Sequence, residues 1–340
     1  MIFYLSGYAC ALAGAMLGVR YRVKPWLWLS LSLAPTALLV ALRGSVGTDT
    51  AAYLKMARAA RIDDPTHLPA TLEPGFLWLL KLAALACSQP QTVVALVSLL
   101  VVFGCIAAFS GREEDALVFA LLIFPLFFYD MSMNGLRYGL AFCLAKIASD
   151  CRDRGRRGVF GVCAGAAAGI HISSLLLIAL LQVRKLRSLR YLAAGAGLAA
   201  LLAACHYDKL AIKLAFYTHY APPGATSGSA PLVLAALVVL AGAIASGGLT
   251  RTLGLLLLFE AASFLFARIS YAGLRFQWLI LFALCCQMSV VAVVPARRGP
   301  HFYLALTLIG ALGFAVRARN MLQEYGVGPS PFLPYQFAWD

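Results

Sequence analysis

Long apolar runs separated by short, mostly basic breaks recur from residue 3 to residue 317. A membrane-crossing helix needs about 20 apolar residues, with a range of roughly 17 to 25. Runs that meet or approach this length lie at 3–19, 25–42, 91–109, 135–149, 190–205, 230–248, 252–268, 274–294 and 301–317. The run 116–129 is shorter and contains Pro125, but it is apolar throughout. Two segments are ambiguous: 73–87 is short and carries Lys81, and 158–181 is interrupted in its middle by Gly169-Ile-His-Ile-Ser-Ser174. The pattern predicts an all-α, polytopic fold in which residues 1–340 form a single integral membrane domain. Its longest polar stretches, 43–72 and 206–229, are predicted external loops, and no period of 20–50 residues marks a solenoid.

The basic breaks set the orientation, because Lys and Arg accumulate on the cytoplasmic side. The clusters are Arg20-Arg22-Lys24, Arg152-Arg154-Arg156-Arg157, Arg184-Lys185-Arg187-Arg190 and Arg297-Arg298. Placing all of them inside makes 158–181 enter and leave on one side, as a re-entrant hairpin with His171 near its tip. Segment 73–87 then also fails to cross. The prediction is about ten transmembrane helices plus two re-entrant or interfacial segments, with both termini outside. The rival is about twelve plain spans, which puts Arg152 to Arg157 outside. Non-helical backbone at membrane depth is tolerated only where protein buries it or it lines a wet cavity, so two such segments imply a cavity.

Composition supports this and removes alternatives. The chain is 62% hydrophobic and 12% charged, against roughly a quarter charged in soluble domains, and its mean hydropathy is +0.83. The net charge of +14 sits in the topology clusters and does not indicate a nucleic-acid partner. The nine cysteines are scattered, mostly inside apolar runs (Cys10, Cys105, Cys143, Cys163, Cys285, Cys286), with no CxxC and no metal-ligand spacing; they read as small buried hydrophobes. The N-terminus lacks a charged region before its apolar run and reads as a first spanning helix.

Six arginines then stand on the wrong side: Arg43, Arg137, Arg268, Arg275, Arg317 and Arg319, each at an outer end of a span. Placing Arg in a membrane costs about 2.5–3.5 kcal/mol on insertion scales, which an external anion would offset, since Arg forks match phosphate oxygens bidentately. Headgroup contact or pairing with carboxylates is the plainer reading, above all for Arg317 and Arg319. Arg43-Gly-Ser-Val-Gly-Thr-Asp-Thr-Ala-Ala-Tyr53 follows the second span; Thr48 and Asp49 suit a helix cap, and Asp49 also suits a general base. Glu73 before Pro74 suits a helix start. His171 is the one histidine deep in an apolar run, either a polar bridge or a catalytic group at a broken helix. Glu260 lies mid-span, and its expected partner is Arg268, eight residues on.

Arg43-x-x-Val-Gly-Thr-Asp-Thr-x-x-Tyr53, Glu73-Pro-Gly-Phe76, Asn134-Gly-Leu-Arg137, His171-x-Ser173, Arg268 and the ending Pro334-Tyr335-x-Phe337 together resemble the EpsG/Wzy family of polysaccharide polymerases over nearly the whole chain. One departure is Arg137-Tyr138 where the family has Arg-Gln. The resemblance implies a GT-C-like glycosyltransferase of the bacterial inner membrane, working at its outer face. Such an enzyme transfers a growing glycan from undecaprenyl pyrophosphate to an incoming lipid-linked oligosaccharide unit. Arg43, Arg137, Arg268 and Arg275 are then expected at the pyrophosphate, stabilising the leaving group without metal or cofactor. Asp49, His171 and Glu73 are the candidate bases, and Thr48, Tyr53, Asn134 and Tyr335 the candidate sugar and loop contacts. Membrane lipids, a chain-length regulator and a flippase are the expected partners. A glycan ligase uses the same arginines with another acceptor. A membrane acyltransferase needs no outward Arg. A flippase or transporter of the lipid-linked sugar favours charges along a central path, where only His171 and Glu260 lie deep.

The topology is directly testable. A reporter fused after Arg156 reads cytoplasmic and one after Thr66 reads external; an external signal at 156 restores the twelve-span arrangement.

Overall fold

Pro125 lies inside the most apolar stretch of the chain. Proline lacks an N–H and its ring crowds the carbonyl four residues back, which strains a regular α-helix there. The computed structural model, which describes residues 1–62, 68–69, 72–185, 224, 226–293, 299–322 and 329–339, winds this stretch as a π-helix. It runs through Phe119–Phe128 and resumes at Asp130–Asn134. Every residue of Phe119–Phe128 is buried, and stacked and edge-on rings of Phe119, Phe124, Phe128 and Tyr129 fill its surroundings. The segment also takes a side-chain donor on its backbone: Arg317 Nε donates to Leu126 O at 2.9 Å.

This segment is the core of the first of two compact units, Met1–Leu175 with Tyr303–Asp340. Helices α1 (Ile2–Arg20) and α2 (Pro25–Ala41) pack on each other, α2 packs on α5 (Pro90–Phe109), α5 on α7 (Leu136–Asp153), and α7 on α8 (Arg157–Ile170). Short helices α3 (Thr50–Ile62) and α4 (Pro74–Ala86) pack on each other and on α5. Proline opens α2, α4 and α5 in the first turn, where its missing N–H costs nothing. Helix α6 (Glu113–Val118) leads into the π segment. It is tied to α7 by a buried ion cluster, with Lys146 Nζ 3.2 Å from Asp115 and 2.6 Å from Asp150, and Arg112 Nε 2.7 Å from Asp115. The last helix, α13 (Pro300–Leu322), meets the π segment through glycines: a Cβ on Gly310 would lie 3.1 Å from Pro125 Cγ and would overlap the Leu121 carbonyl.

The second unit is Leu176–Phe302. It holds most of α9 (Ser174–Leu181), with α10 (Ser229–Ser246), α11 (Arg251–Phe266) and α12 (Ala272–Ala292) packed on one another. Glu260 is fully buried on α11 and accepts from Gln277 Nε2 at 2.9 Å. Its partner is therefore an amide on α12 and not Arg268, which turns to backbone carbonyls of the 224–227 segment.

The described residues are helical, with a single isolated bridge between Arg43 and Phe337. Among them five helices are long and apolar enough to cross a membrane: Ile2–Arg20, Pro90–Phe109, Ser229–Ser246, Ala272–Ala292 and Pro300–Leu322. Pro25–Ala41, Pro74–Ala86 and Arg157–Ile170 are apolar but shorter. The expected span 190–205, most of the loop 206–229, and Arg187, Arg190, Arg297 and Arg298 lie outside the described residues. The predicted break in 158–181 is present: α8 stops at Ile170 and α9 starts at Ser174.

Gly310→Ala forces a methyl group into the Leu121 carbonyl, an overpacking cost of about 1–3 kcal/mol. The expected outcome is a lower melting temperature of the detergent-solubilised protein than for the same change at Gly158, where an added Cβ meets nothing within 4 Å.

Candidate functional site

Glu73 is the N-cap of α4, with extended backbone and Pro74 behind it. Its side chain makes no cap hydrogen bond. The carboxylate is 8% exposed and is shared: Arg137 Nη1 donates to Oε2 at 3.0 Å, and His171 Nδ1 lies 3.2 Å from Oε1. Residues 73, 137 and 171 thus meet in one group. Gly75 explains how α4 comes close enough. A Cβ there would lie 2.6 Å from the backbone of Gly169, so only glycine lets the start of α4 rest on the end of α8.

His171 is the C-cap of α8, with φ −157° and ψ 113°. The helix stops because this residue turns extended, and Ser174 N returns to the His171 carbonyl at 3.0 Å to start the next turn. The break directs the imidazole to Glu73 instead of along a continuous helix face. Arg137 is the second residue of α7, where backbone N–H groups lack partners within the helix. It stands beside the Tyr53 hydroxyl, on which both its guanidinium and its backbone N–H act. Tyr53 is 3% exposed, and burial pushes its hydroxyl upward against the pull of Arg137, so it is a neutral phenol at physiological pH. Phe76 backs the Tyr53 ring edge-on at 6.0 Å between centroids. Each residue of Glu73-Pro-Gly-Phe76 therefore has a distinct task.

The loop before α3 borders this group. Asp49 is exposed and close enough to act electrostatically on Arg43, Tyr53 and Tyr138. Its carbonyl accepts from Tyr53 N at 3.0 Å, which begins α3. Thr48 N donates to Asn134 Oδ1 at 3.1 Å, and Asn134 Nδ2 donates to Asp130 Oδ1 at 3.2 Å. Gly47 adopts φ +106°, and a Cβ there would lie 2.7 Å from Asn134 Oδ1, so the loop passes the π segment only as glycine.

The other sequence candidates stand elsewhere. Arg43 is 1% exposed. Nη1 donates to the Met133 carbonyl and Nη2 to Ser98 Oγ at 3.2 Å, and burial pushes the group down to about 10, still charged at neutral pH. Gln91 Nε2 donates to the Arg43 carbonyl. The guanidinium is therefore a bolt inside the protein, fastening α2 to the π segment and α5. Tyr335 donates to the Leu39 carbonyl and packs on Phe3, Tyr4 and Phe337, so it anchors the C-terminal tail. That tail runs beside Arg43, with Gly44 N on the Gln336 carbonyl at 2.8 Å and Ala338 N on the Leu42 carbonyl at 2.9 Å. Arg268 and Arg275 belong to the second unit. Arg268 donates to Gly224 O at 2.8 Å and Ser227 O at 2.5 Å and lies over Phe264; Arg275 is exposed on α12.

Sequence reasoning missed Asp130. Of the two plainer readings of Arg317, the structure shows the carboxylate pairing and not headgroup contact: its Nη1 is 2.6 Å from Asp130 Oδ2. Asp130 is the single acid between residues 116 and 149, at the end of an apolar run, and that isolation was the available signal. Among the described residues no cluster of three or more His, Cys, Asp or Glu side chains is placed to hold a metal ion.

Arg43→Ala leaves the Met133 carbonyl and Ser98 without their charged donor. Lost bonds of this kind cost about 1.5–3 kcal/mol each. Arg43→Lys cannot keep both, because an ammonium is a point charge without the planar fork. Both variants are expected to melt earlier in detergent and to accumulate less in the membrane, with Ala the worse; unchanged melting of Arg43→Lys would remove the bolt.

No curated protein and no solved structure matches the chain. The sequence model of the EpsG family matches residues 26–337, a span that contains Arg43, Glu73, Arg137, His171 and Arg268 and ends at Phe337. The chain is a multi-pass membrane protein belonging to the EpsG family.

Proposed function

We propose that the protein is a polysaccharide polymerase. It transfers a growing glycan from its undecaprenyl-pyrophosphate carrier to the next lipid-linked oligosaccharide unit, at the outer face of the bacterial inner membrane. The observation that carries this reading is the Glu73 carboxylate held between His171 and Arg137. One carboxylate there joins a base to an anion-binding cation, which are the two functions the transfer needs.

The chemistry follows from the geometry. With the imidazole proton on Nδ1 and donated to Glu73, the basic lone pair lies on Nε2. The acceptor hydroxyl gives its proton to Nε2 as its oxygen bonds the donor's anomeric carbon. The bond from that carbon to the pyrophosphate oxygen breaks, and its electron pair leaves with the lipid pyrophosphate. Glu73 stabilises the imidazolium that forms, as the acid of a catalytic triad does. Arg137, partly exposed, paired with Glu73 and beside Tyr53, is placed to hold the leaving group's charge. Arg43 acts through the backbone it fastens, as a positioning residue. Asp49 is the second candidate base, exposed beside Tyr53. A ligase that hands the glycan to another acceptor would use the same group.

The test is purified protein with lipid-linked repeat units, read as a ladder of chain lengths. His171→Ala abolishes the ladder while the protein stays inserted and abundant. Glu73→Gln and Arg137→Ala each lower the rate at least about tenfold, the loss of one charged hydrogen bond. Arg137→Lys recovers part of the rate. Normal activity per folded molecule in His171→Ala would leave the histidine a structural bridge and overturn this mechanism.

A further inference from the structure

Helix α3 carries Lys55, Arg58 and Arg61 and no acidic residue. It lies in the segment 43–72 that the topology places outside, where basic residues oppose the positive-inside rule. Its buried side comprises Thr50, Tyr53, Met56, Ala57, Ala59 and Ala60; Lys55 and Arg58 are exposed, with Ala51 and Ala52 beside them. Three contacts fasten the helix: Thr50 Oγ1 donates to the Val46 carbonyl at 2.6 Å, Arg61 Nη1 donates to the Ser88 carbonyl, and Tyr53 lies beside Arg137. Arg61 is thus committed to the turn between α4 and α5. Lys55 and Arg58 have no ion-pair or hydrogen-bond partner among the described residues. The next acids in the sequence, Asp63 and Asp64, are outside those residues.

Resting on the polymerase reading, we infer that Lys55 and Arg58 form a second anion subsite, which holds the pyrophosphate of the lipid-linked acceptor. The reaction needs two pyrophosphates with opposite fates. The donor's leaves, at the reacting carbon. The acceptor's stays intact, and it sits at the reducing end of a unit whose other end carries the attacking hydroxyl. It must therefore be gripped one repeat unit away from His171. Helix α3 meets that requirement. Tyr53 faces the catalytic group, and at about 100° per residue Lys55 and Arg58 lie roughly 140–200° around the helix from it. The subsite is thus on the far side of an element about 10–12 Å thick. Lys55 and Arg58 are three positions apart, with Cβ atoms roughly 5–6 Å from each other, so both reach one pyrophosphate. The Arg fork takes two oxygens and the ammonium another. The neighbouring alanines leave room for the lipid headgroup to approach. A grip on an intact group calls for binding and not for transition-state stabilisation, so flexible exposed cations serve.

The experiment uses the full chain in nanodiscs of zwitterionic lipid, with farnesyl pyrophosphate as a short carrier probe. Wild type binds two equivalents; Lys55→Ala/Arg58→Ala and Arg137→Ala each bind one. At a fixed concentration of lipid-linked polymer, the double variant needs at least about tenfold more lipid-linked repeat unit for half-saturation. Its rate at saturation stays within about twofold of wild type. Lys55→Arg/Arg58→Lys restores most of the affinity. Two equivalents bound by the double variant, with unchanged half-saturation, overturn the subsite. So does displacement of the second equivalent by phosphatidylglycerol added to the disc, which would make the ridge a headgroup surface. A wild type that binds two equivalents but makes no ladder defeats the polymerase reading and leaves the ridge as a carrier-binding site.

Discussion

A carboxylate that is nine-tenths buried cannot be left half-paired, and the arrangement around Glu73 follows from that constraint. Desolvating a charge costs several kcal/mol unless partners of good geometry replace the water. Here the carboxylate stands at the start of α4, and its two partners come from the start of α7 and the end of α8. Removing either Arg137 or His171 would leave the carboxylate short of a partner, so the group ties these helix ends together. A pairing of apolar side chains would serve stability as well or better. Retaining ionisable groups in this place fits the proposed role, in which the group moves a proton and meets an anion.

Each member of the group stands at a helix terminus: Glu73 at an N-cap, Arg137 in a first turn, His171 at a C-cap. Termini are where backbone groups lack internal partners and side chains can be aimed across the helix axis. The π-helical segment from Phe119 to Asn134 belongs to the same logic. Its proline disrupts the ladder, Arg317 bonds the Leu126 carbonyl, and the stretch ends at Asn134, which holds the loop carrying Thr48 and Asp49. Buried Arg43 clamps the other side of that segment at Met133. Irregular backbone in such a setting persists only when neighbours satisfy it, and the arginines are those neighbours. Two of the arginines that the charge rule singles out as anomalous, Arg43 and Arg317, therefore hold the scaffold, while Arg137 stands in the site.

Glu73 also shows how local chemistry and tertiary context compete. By itself, Glu before Pro-Gly-Phe is a helix start, and it is one. The carboxylate makes no cap bond and meets a guanidinium and an imidazole instead. Glu260 is the mirror case. Spacing along α11 pointed to Arg268, whereas α12 brings Gln277 to the carboxylate, and Arg268 lies past the helix end where loop carbonyls compete for it. Spacing along one helix says nothing of what a neighbouring helix supplies.

The amino-acid sequence by itself determined the all-helical membrane class, most helix positions, the break at His171 and the membership of Glu73, Arg137 and His171 in one set of motifs. These are properties of local order: apolar run length, proline and glycine placement, and charge at run ends are written residue by residue. Tertiary structure alone decided which charges meet. Arg43 and Arg137 stand in similar positions in the sequence, at the outer ends of apolar runs, yet one is sealed against Met133 and Ser98 and the other opens beside Tyr53. That difference comes from contacts 55 and 90 residues apart for Arg43 and 64 apart for Arg137. The energy of burying a guanidinium depends on the partners that surround it, and no local pattern encodes those partners.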